Sequence, residues 1–463
     1  MERGLNMERE QSFTQGSILK SLLLFALPVL LALFLQAMYG AVDLLIVGKF
    51  ASSVDVSAVS TGSQIMMTLT NLVSSFAMGT TILLGQQIGK GEKEKGGETV
   101  GTAIVMFAVI AVLMTILLVP LAPQVCSLMN APEEAFDKTV AYVRICGGGM
   151  LVIVVYNLIG CVFRGIGDSR TPLLTVAIAC VCNIAGDLLL CAGFDMGTEG
   201  AAIATVFAQV VSVLASWLFI RRKSLPFTMK RSNIRIHLPA MKHMARLGAP
   251  IALQDMLVSL SFLIIMAIVN AMGVTASAGV GVAEKVCAFI MLISSAFMQS
   301  ISAFVAQNYG AGKMDRAKKA LHYGMAVSFV IGVGMFFLNF FHGDLLAGIF
   351  SPDPEVIAAA SDYLRAYAID CMLTAIFFCY TGYFNGIGRT TFVMAQGIIG
   401  AIGVRVPVSW LMSLRPGANL FQIGLATPAS SVVQLLLCAG YMALLRHNET
   451  RRNSRLLASK DEK

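Results

Sequence analysis

Apolar residues gather into twelve long runs, at about 18–48, 56–87, 98–122, 136–162, 171–193, 199–220, 245–272, 277–306, 318–343, 355–385, 391–414 and 419–445. Charged and turn-forming residues are left mostly to the connections. A helix crossing the hydrocarbon layer needs about 20 apolar residues, so each run predicts one crossing. The fold class predicted is an all-α membrane protein of twelve transmembrane helices. Several runs exceed the minimum, which predicts tilt or kinks, with Pro28 and Pro250 as natural kink sites.

The connections alternate in charge. One side carries Arg3, Arg9 and Lys20, then Lys90, Lys93 and Lys95, then Arg164 and Arg170. It continues with the basic stretch from Arg221 to Arg235, the cluster Lys313 to Lys319, Arg389, and the tail from Arg446. The other side has little beyond Lys49, Lys138 and Arg415. Cytoplasmic loops collect Lys and Arg, so both termini are expected in the cytoplasm and the protein in a bacterial or archaeal cytoplasmic membrane. The net charge of +8 then reads as an orientation signal, and no nucleic-acid partner is expected. Composition agrees: 57% of residues are hydrophobic and 13% charged, against about 25% charged in soluble chains. The head, MERGLNMEREQSFTQGS, is polar and no small-residue cleavage site follows the first run, so no cleavable signal is expected. The ten cysteines show no CxxC pairing and read as small hydrophobes. No histidine pattern suggests a metal site.

The chain repeats itself. FRGIG at 163–167 returns as FNGIG at 384–388, and 384 − 163 = 221. Tyr142-Val143-Arg144 returns as Tyr363-Leu364-Arg365, and QxxGxG from Gln86 returns from Gln307, both at that offset. Pro28 and Pro250 differ by 222. Two six-helix halves follow: an N-terminal lobe over 1–220, a basic cytoplasmic linker over 221–243, a C-terminal lobe over 244–446 and a cytoplasmic tail over 447–463. Six is even, so the repeat is parallel.

Asp43 lies inside the first run, where an ionisable group costs several kcal/mol unless it faces a cavity, an ion or a partner. Gln36, Tyr39 and Asp43 share a helix face by their spacing. Asn183 and Asp187 share one in the fifth run. Counted from the run ends at about 1.5 Å per residue, Asp43, Asp187 and Thr205 all lie roughly 7–10 Å below the outer boundary. Two carboxylates, an amide oxygen and a hydroxyl at similar depth suit Na⁺ or a shared proton. At the repeat positions of Asp43 and Asp187 the second half has Ile264 or Ile265, and Val408. A cation site is therefore expected in the first half alone. The alternative, hydrogen-bonded structural residues, suits Thr205 and Asn183 better than two aspartates.

The segment around Gln36, Tyr39, Asp43 and Gly48 resembles the first helix of MATE (multidrug and toxic compound extrusion) transporters. RGIGDSRTP at 164–172 is similar to that family's loop between helices four and five. With the twelve spans, the two halves and the QxxGxG turns, the resemblance covers nearly the whole chain and is closest to the prokaryotic DinF-like branch. It implies the MATE fold of the MOP superfamily. It also implies a first-lobe cation site at Asp43, Asn183, Asp187 and Thr205. Another branch, of the NorM type, carries acidic residues in helices seven and ten. Asp255 and Asp370 do not match that spacing, and this second site is not carried over.

Gln36, Tyr39, Gln64 and Asn157 are candidates to line a drug pocket, although Gln64 and Asn157 suit helix bridging equally well. Glu284, Lys285 and Arg405 are expected in ion pairs that pack helices or link lobes, with Lys285 facing the cavity as the alternative. The 26 methionines suit an adaptable wall. The run GKGEKEKGG at 89–97 reads as a cytoplasmic turn rather than a phosphate loop. The expected activity is export of small amphipathic drugs or metabolites, often cationic and aromatic, in exchange for Na⁺ or H⁺. No further cofactor is expected, the only other partners are membrane lipids, and a monomer is expected. A flippase for a lipid-linked saccharide is the main alternative, ahead of a passive channel. An enzyme is not expected, since neither HExxH nor GxSxG occurs.

Overall fold

The computed structural model describes residues 13–461, with side chains through Arg451. Arg3, Arg9 and the end of the tail lie outside the described residues. Among those described, fifteen α-helices follow one another. The first seven are α1 (Ile18–Phe50), α2 (Ser53–Lys90), α3 (Lys93–Leu128), α4 (Phe136–Gly148), α5 (Met150–Ile166), α6 (Arg170–Asp187) and α7 (Gly197–Arg222). After a basic connection come α8 (Leu238–Asn270), α9 (Val274–Gly310), α10 (Met314–Gly348), α11 (Pro354–Gly386), α12 (Thr390–Ile398), α13 (Val406–Ser413), α14 (Leu420–Gly424) and α15 (Ala426–Asp461). Eleven helices or joined helix pairs are long and apolar enough to cross a membrane, and a bent pair makes twelve. These match the twelve apolar runs one for one.

The bent pair is α4 with its preceding turn, and α5, meeting at 57°. Gly147, Gly148 and Gly149 stand at the break, where backbone freedom is greatest. Both α1 and α8 run unbroken through Pro28 and Pro250. The bent pair among the described spans thus has its break at glycines. Two spans contain π-helical stretches, Leu188–Gly193 directly after α6 and Ile399–Arg405 between α12 and α13.

Backbone conformation carries the repeat. α2 ends on Gly91 at φ 75° and α9 is followed by Gly312 at φ 70°. Gly167 after α5 has φ 86° and Gly388 after α11 has φ 78°. Each is a left-handed cap, which glycine adopts without steric cost. Both pairs keep the offset of the sequence repeat.

The structure falls into two compact units. The first comprises the chain through Asp255, together with Ser295–His322 and Gly382–Thr390. The second comprises Met256–Ser294, Tyr323–Thr381 and the chain from Thr391. The first unit holds a core in which Val47, Phe107, Met150 and Cys161 are among the fully buried side chains; in the second, Val269, Val280 and Leu364 are. All ten cysteines are free.

Polar clamps fix the ends of helices in the first unit. Ser52 and Asp55 cap α2 reciprocally, and Asp55 also binds Lys138 of α4 at 2.7 Å and the Thr198 hydroxyl of α7 at 2.7 Å. Asp168, before α6, accepts from the N–H groups of Arg170 (3.0 Å) and Thr171 (3.1 Å). Its other oxygen accepts from the Thr171 hydroxyl at 2.6 Å and the Lys223 ammonium at 2.5 Å. Burial pushes this carboxyl up, but Lys223 and Thr171 outweigh it and hold it below the ordinary carboxylate range. A depressed folded pKa stabilises fully above the unfolded value of about 3.9 and is lost as pH falls through the folded value. The detergent-solubilised protein is therefore expected to lose thermal stability below about pH 4, and Asp168→Asn to flatten that part of the pH–melting curve.

Candidate functional site

Asp43 is on α1, Asn183 and Asp187 are one turn apart near the end of α6, and Thr205 is on α7. The fold brings all four together in the first unit. They are buried: Asn183 and Asp187 have no exposed surface, and Asp43 and Thr205 are 3% and 8% exposed. Asn183 Nδ2 donates to Thr205 Oγ1 at 3.4 Å. The Asp43 and Asp187 carboxyls are neighbours, so their negative charges oppose one another. Helix α6 gives way to the π-helical turn at Leu188, immediately after Asp187. Such turns widen the backbone and recur at functional sites.

The decisive feature is what these oxygens lack. Asp43 Oδ1, Asn183 Oδ1 and both Asp187 carboxylate oxygens are buried with no hydrogen-bond donor among the described residues. Buried oxygens without donors cost on the order of 1–3 kcal/mol each, more when charged. Four of them on three neighbouring side chains suit a hard cation or a proton, because either supplies the missing positive charge.

Further buried side chains lie near the set. Tyr39, one turn before Asp43, lies near Gln209 of α7, whose Oε1 is buried without a donor among the described residues, and Tyr142 of α4 lies near Thr205. Gln209 and Tyr142 were not among the residues expected at the site. Gln209 is four residues beyond Thr205 on the same helix face, which is signal enough to find it. Tyr142 stands out in the sequence only as a repeat marker.

The residues expected to line a drug pocket separate. Gln36 donates to the Tyr156 hydroxyl at 3.2 Å, and both line a small cavity of about 50 Å³ with Asn157. Asn157 accepts from the Ser74 hydroxyl at 2.8 Å and donates to the Ile153 carbonyl at 2.8 Å, so its amide also bridges α2 and α5. Tyr39 lies one turn from Asp43 instead and is not among the residues lining this cavity. Gln64 is exposed on α2 and does not line this cavity.

The ion pairs expected elsewhere do not form. Among the described residues neither Glu284 nor Lys285 has an opposite charge within 4 Å, and Glu284 Oε1 is buried without a donor. Arg405 donates to the Ser261 hydroxyl at 3.2 Å and lies 4.4 Å from the Phe262 ring, so a hydroxyl and a π-face take the place of a carboxylate. Asp370 accepts from the Thr374 hydroxyl at 2.8 Å, and Asp255 from Ser75.

A family model described as MatE matches this chain twice, at residues 28–189 and 250–411. The two matches begin on Pro28 and Pro250, which stand 222 residues apart, within one residue of the repeat offset. The chain is 26% identical over 439 residues to the probable multidrug resistance protein YoeA of Bacillus subtilis, covering 93% of this chain and 95% of that one. It is 21% identical over 407 residues to the multidrug export protein MepA of Staphylococcus aureus, covering 87% and 88%. An outward-facing multidrug resistance MATE transporter of the MOP superfamily has the same fold, with TM-score 0.87, 19% identity and coverage of 94% and 98%. Similar MATE structures include a straight and a bent conformation, with TM-scores 0.86 and 0.87 at 19% identity, covering 94–95% of this chain and 98% of each.

Proposed function

We propose, from the premise that this chain belongs to the MatE family of secondary transporters, that it is a cation-coupled multidrug antiporter working by alternating access. The coupling ion, Na⁺ or H⁺, binds at Asp43, Asn183, Asp187 and Thr205. The observation that carries this reading is the set of four donorless oxygens from three buried side chains. An ion moving down its gradient neutralises the pair, and its departure restores two adjacent negative charges whose repulsion favours the next uptake. The two lobes follow the sequence halves, joined by the basic 221–243 connection, with both termini in the cytoplasm.

The exported molecules are small amphipathic compounds, commonly cationic and aromatic, for which the small cavity at Gln36, Tyr156 and Asn157 widens during the transport cycle. Gln36 and Asp43 are seven residues apart on α1, or about 10 Å along the axis, so drug and ion share one helix. Bending of that helix near Pro28, whose ring removes one backbone hydrogen bond, lets occupancy of one site oppose occupancy of the other. Proteoliposomes loaded with a fluorescent cationic dye test this. Imposing a Na⁺ gradient and a pH gradient separately is expected to drive export with one of them. Export indifferent to both sinks the antiporter reading.

A further inference from the structure

The cavity beside α1 has a charge that cation export does not use. Its wall includes Arg164, from the last turn of α5, and no carboxylate. Arg164 Nη2 donates to the Cys161 sulfur at 2.9 Å, a weak acceptor, while its Nε is buried without any acceptor among the described residues. The nearest acid in sequence, Asp168, is already held by Lys223, Thr171 and two backbone N–H groups. The rest of the polar lining is neutral: Gln36, Tyr156, Asn157, Ser169, Thr175 and Gln299. A guanidinium keeps its charge at any physiological pH and presents donors in a planar fork that matches a carboxylate or phosphate. A buried donor with no acceptor is costly, and a bound anion removes that cost.

We propose that Arg164 is an anion-recognising subsite of this cavity, so that amphipathic molecules bearing a carboxylate or phosphate are bound with that group at Arg164. The inference rests on the drug-transport reading and extends its substrate class from simple cations to zwitterions and organic anions. The same subsite takes the phosphate of an anionic lipid by identical chemistry. In the sequence Arg164 reads as one of the charges that orient the chain. The cavity gives it a second role, and Asn385 replaces it in the repeat.

The test uses the full chain in phosphatidylcholine nanodiscs and two probes, a zwitterionic free-acid rhodamine and its cationic methyl ester, read by fluorescence anisotropy. In the wild type the free acid is expected to bind more tightly than the ester. Arg164→Gln is expected to weaken the free acid roughly tenfold or more, the size of a lost charge-assisted hydrogen bond, and the ester less than twofold. Arg164→Lys should recover part of the loss, which a folding defect would not permit. Phosphatidylglycerol added to the discs should displace the free acid from the wild type if the lipid headgroup competes, and its failure to displace assigns the subsite to soluble anions. Equal losses for both probes, or no loss for either, overturn the proposal. If the ester binds and the free acid binds no better, the subsite alone fails. If neither binds, the drug-transport reading fails and takes the subsite with it.

Discussion

Asp43→Asn and Asp187→Asn are each expected to cut ion-driven export about 100-fold or more while leaving the protein at least as stable as the wild type. The two effects have one cause. Asp43 Oδ1 and both Asp187 carboxyl oxygens are buried without donors among the described residues, which costs stability, and in the proposed mechanism a bound cation offsets that cost. Asparagine keeps the shape and removes the charge. Removing one partner from a buried charged set typically costs about 3–5 kcal/mol. Since about 1.4 kcal/mol corresponds to tenfold in affinity, ion binding falls by at least two orders of magnitude. The double variant should be no worse than either single one, because the pair acts as a unit. Thr205→Ala, which removes a neutral ligand, should cost only about tenfold by the same conversion. Efflux rates from energised vesicles, read with melting temperatures of the same preparations, check both halves. A variant that transports normally, or one that loses transport only by unfolding, contradicts the assignment.

How much of this was legible beforehand depended on which physical rule each feature obeys. Membrane crossing depends on summed hydrophobicity over about 20 residues, and every apolar run became a span. Burial of a charge in lipid is so costly that Asp43 and Asp187 announced themselves, and the fold placed them together with Asn183 and Thr205. The repeat located the left-handed caps at Gly91, Gly167, Gly312 and Gly388, since only glycine adopts that backbone without strain. Features set by tertiary packing were not legible. The bend between α4 and α5 lies in a run whose glycines read as merely apolar. The π-helical turn after Asp187 leaves no mark in the surrounding leucines. Polarity suggests Gln64 for the pocket, but polarity does not give the rotation of α2, and the residue is exposed. Arg405 found the Ser261 hydroxyl and the Phe262 ring of α8, partners that only tertiary packing brings to it.

Gly310→Ala and Gly89→Ala are each expected to destabilise the first unit by about 3 kcal/mol or more, as severe overpacking does. Helices α2 and α9 touch backbone to backbone. A Cβ on Gly89 would lie 2.0 Å from the Gln307 carbonyl oxygen, and a Cβ on Gly310 would lie 2.0 Å from the Gln86 carbonyl oxygen. Both obstacles are main chain, so no rotamer change relieves the clash and the helices must separate. Three residues before each glycine, a glutamine ties the same helix to a third one, α2 to α11 and α9 to α5. Gln86 Nε2 donates to the Gly386 carbonyl at 3.0 Å, and Gln307 Nε2 donates to the Gly165 carbonyl at 3.0 Å. Gln86 and Gln307 are repeat mates, as are Gly165 and Gly386, so one glutamine–glycine contact is made twice. Small residues that let membrane helices approach closely do so through such backbone proximity. Gly440→Ala is the control: nothing lies within 4 Å of a Cβ there, and alanine in a helix is favoured over glycine by about 0.5–1 kcal/mol. Melting curves should therefore order Gly440→Ala at or above wild type, with Gly89→Ala and Gly310→Ala well below it and close to one another. Wild-type melting for either of the last two means that α2 and α9 are not in contact in the folded protein.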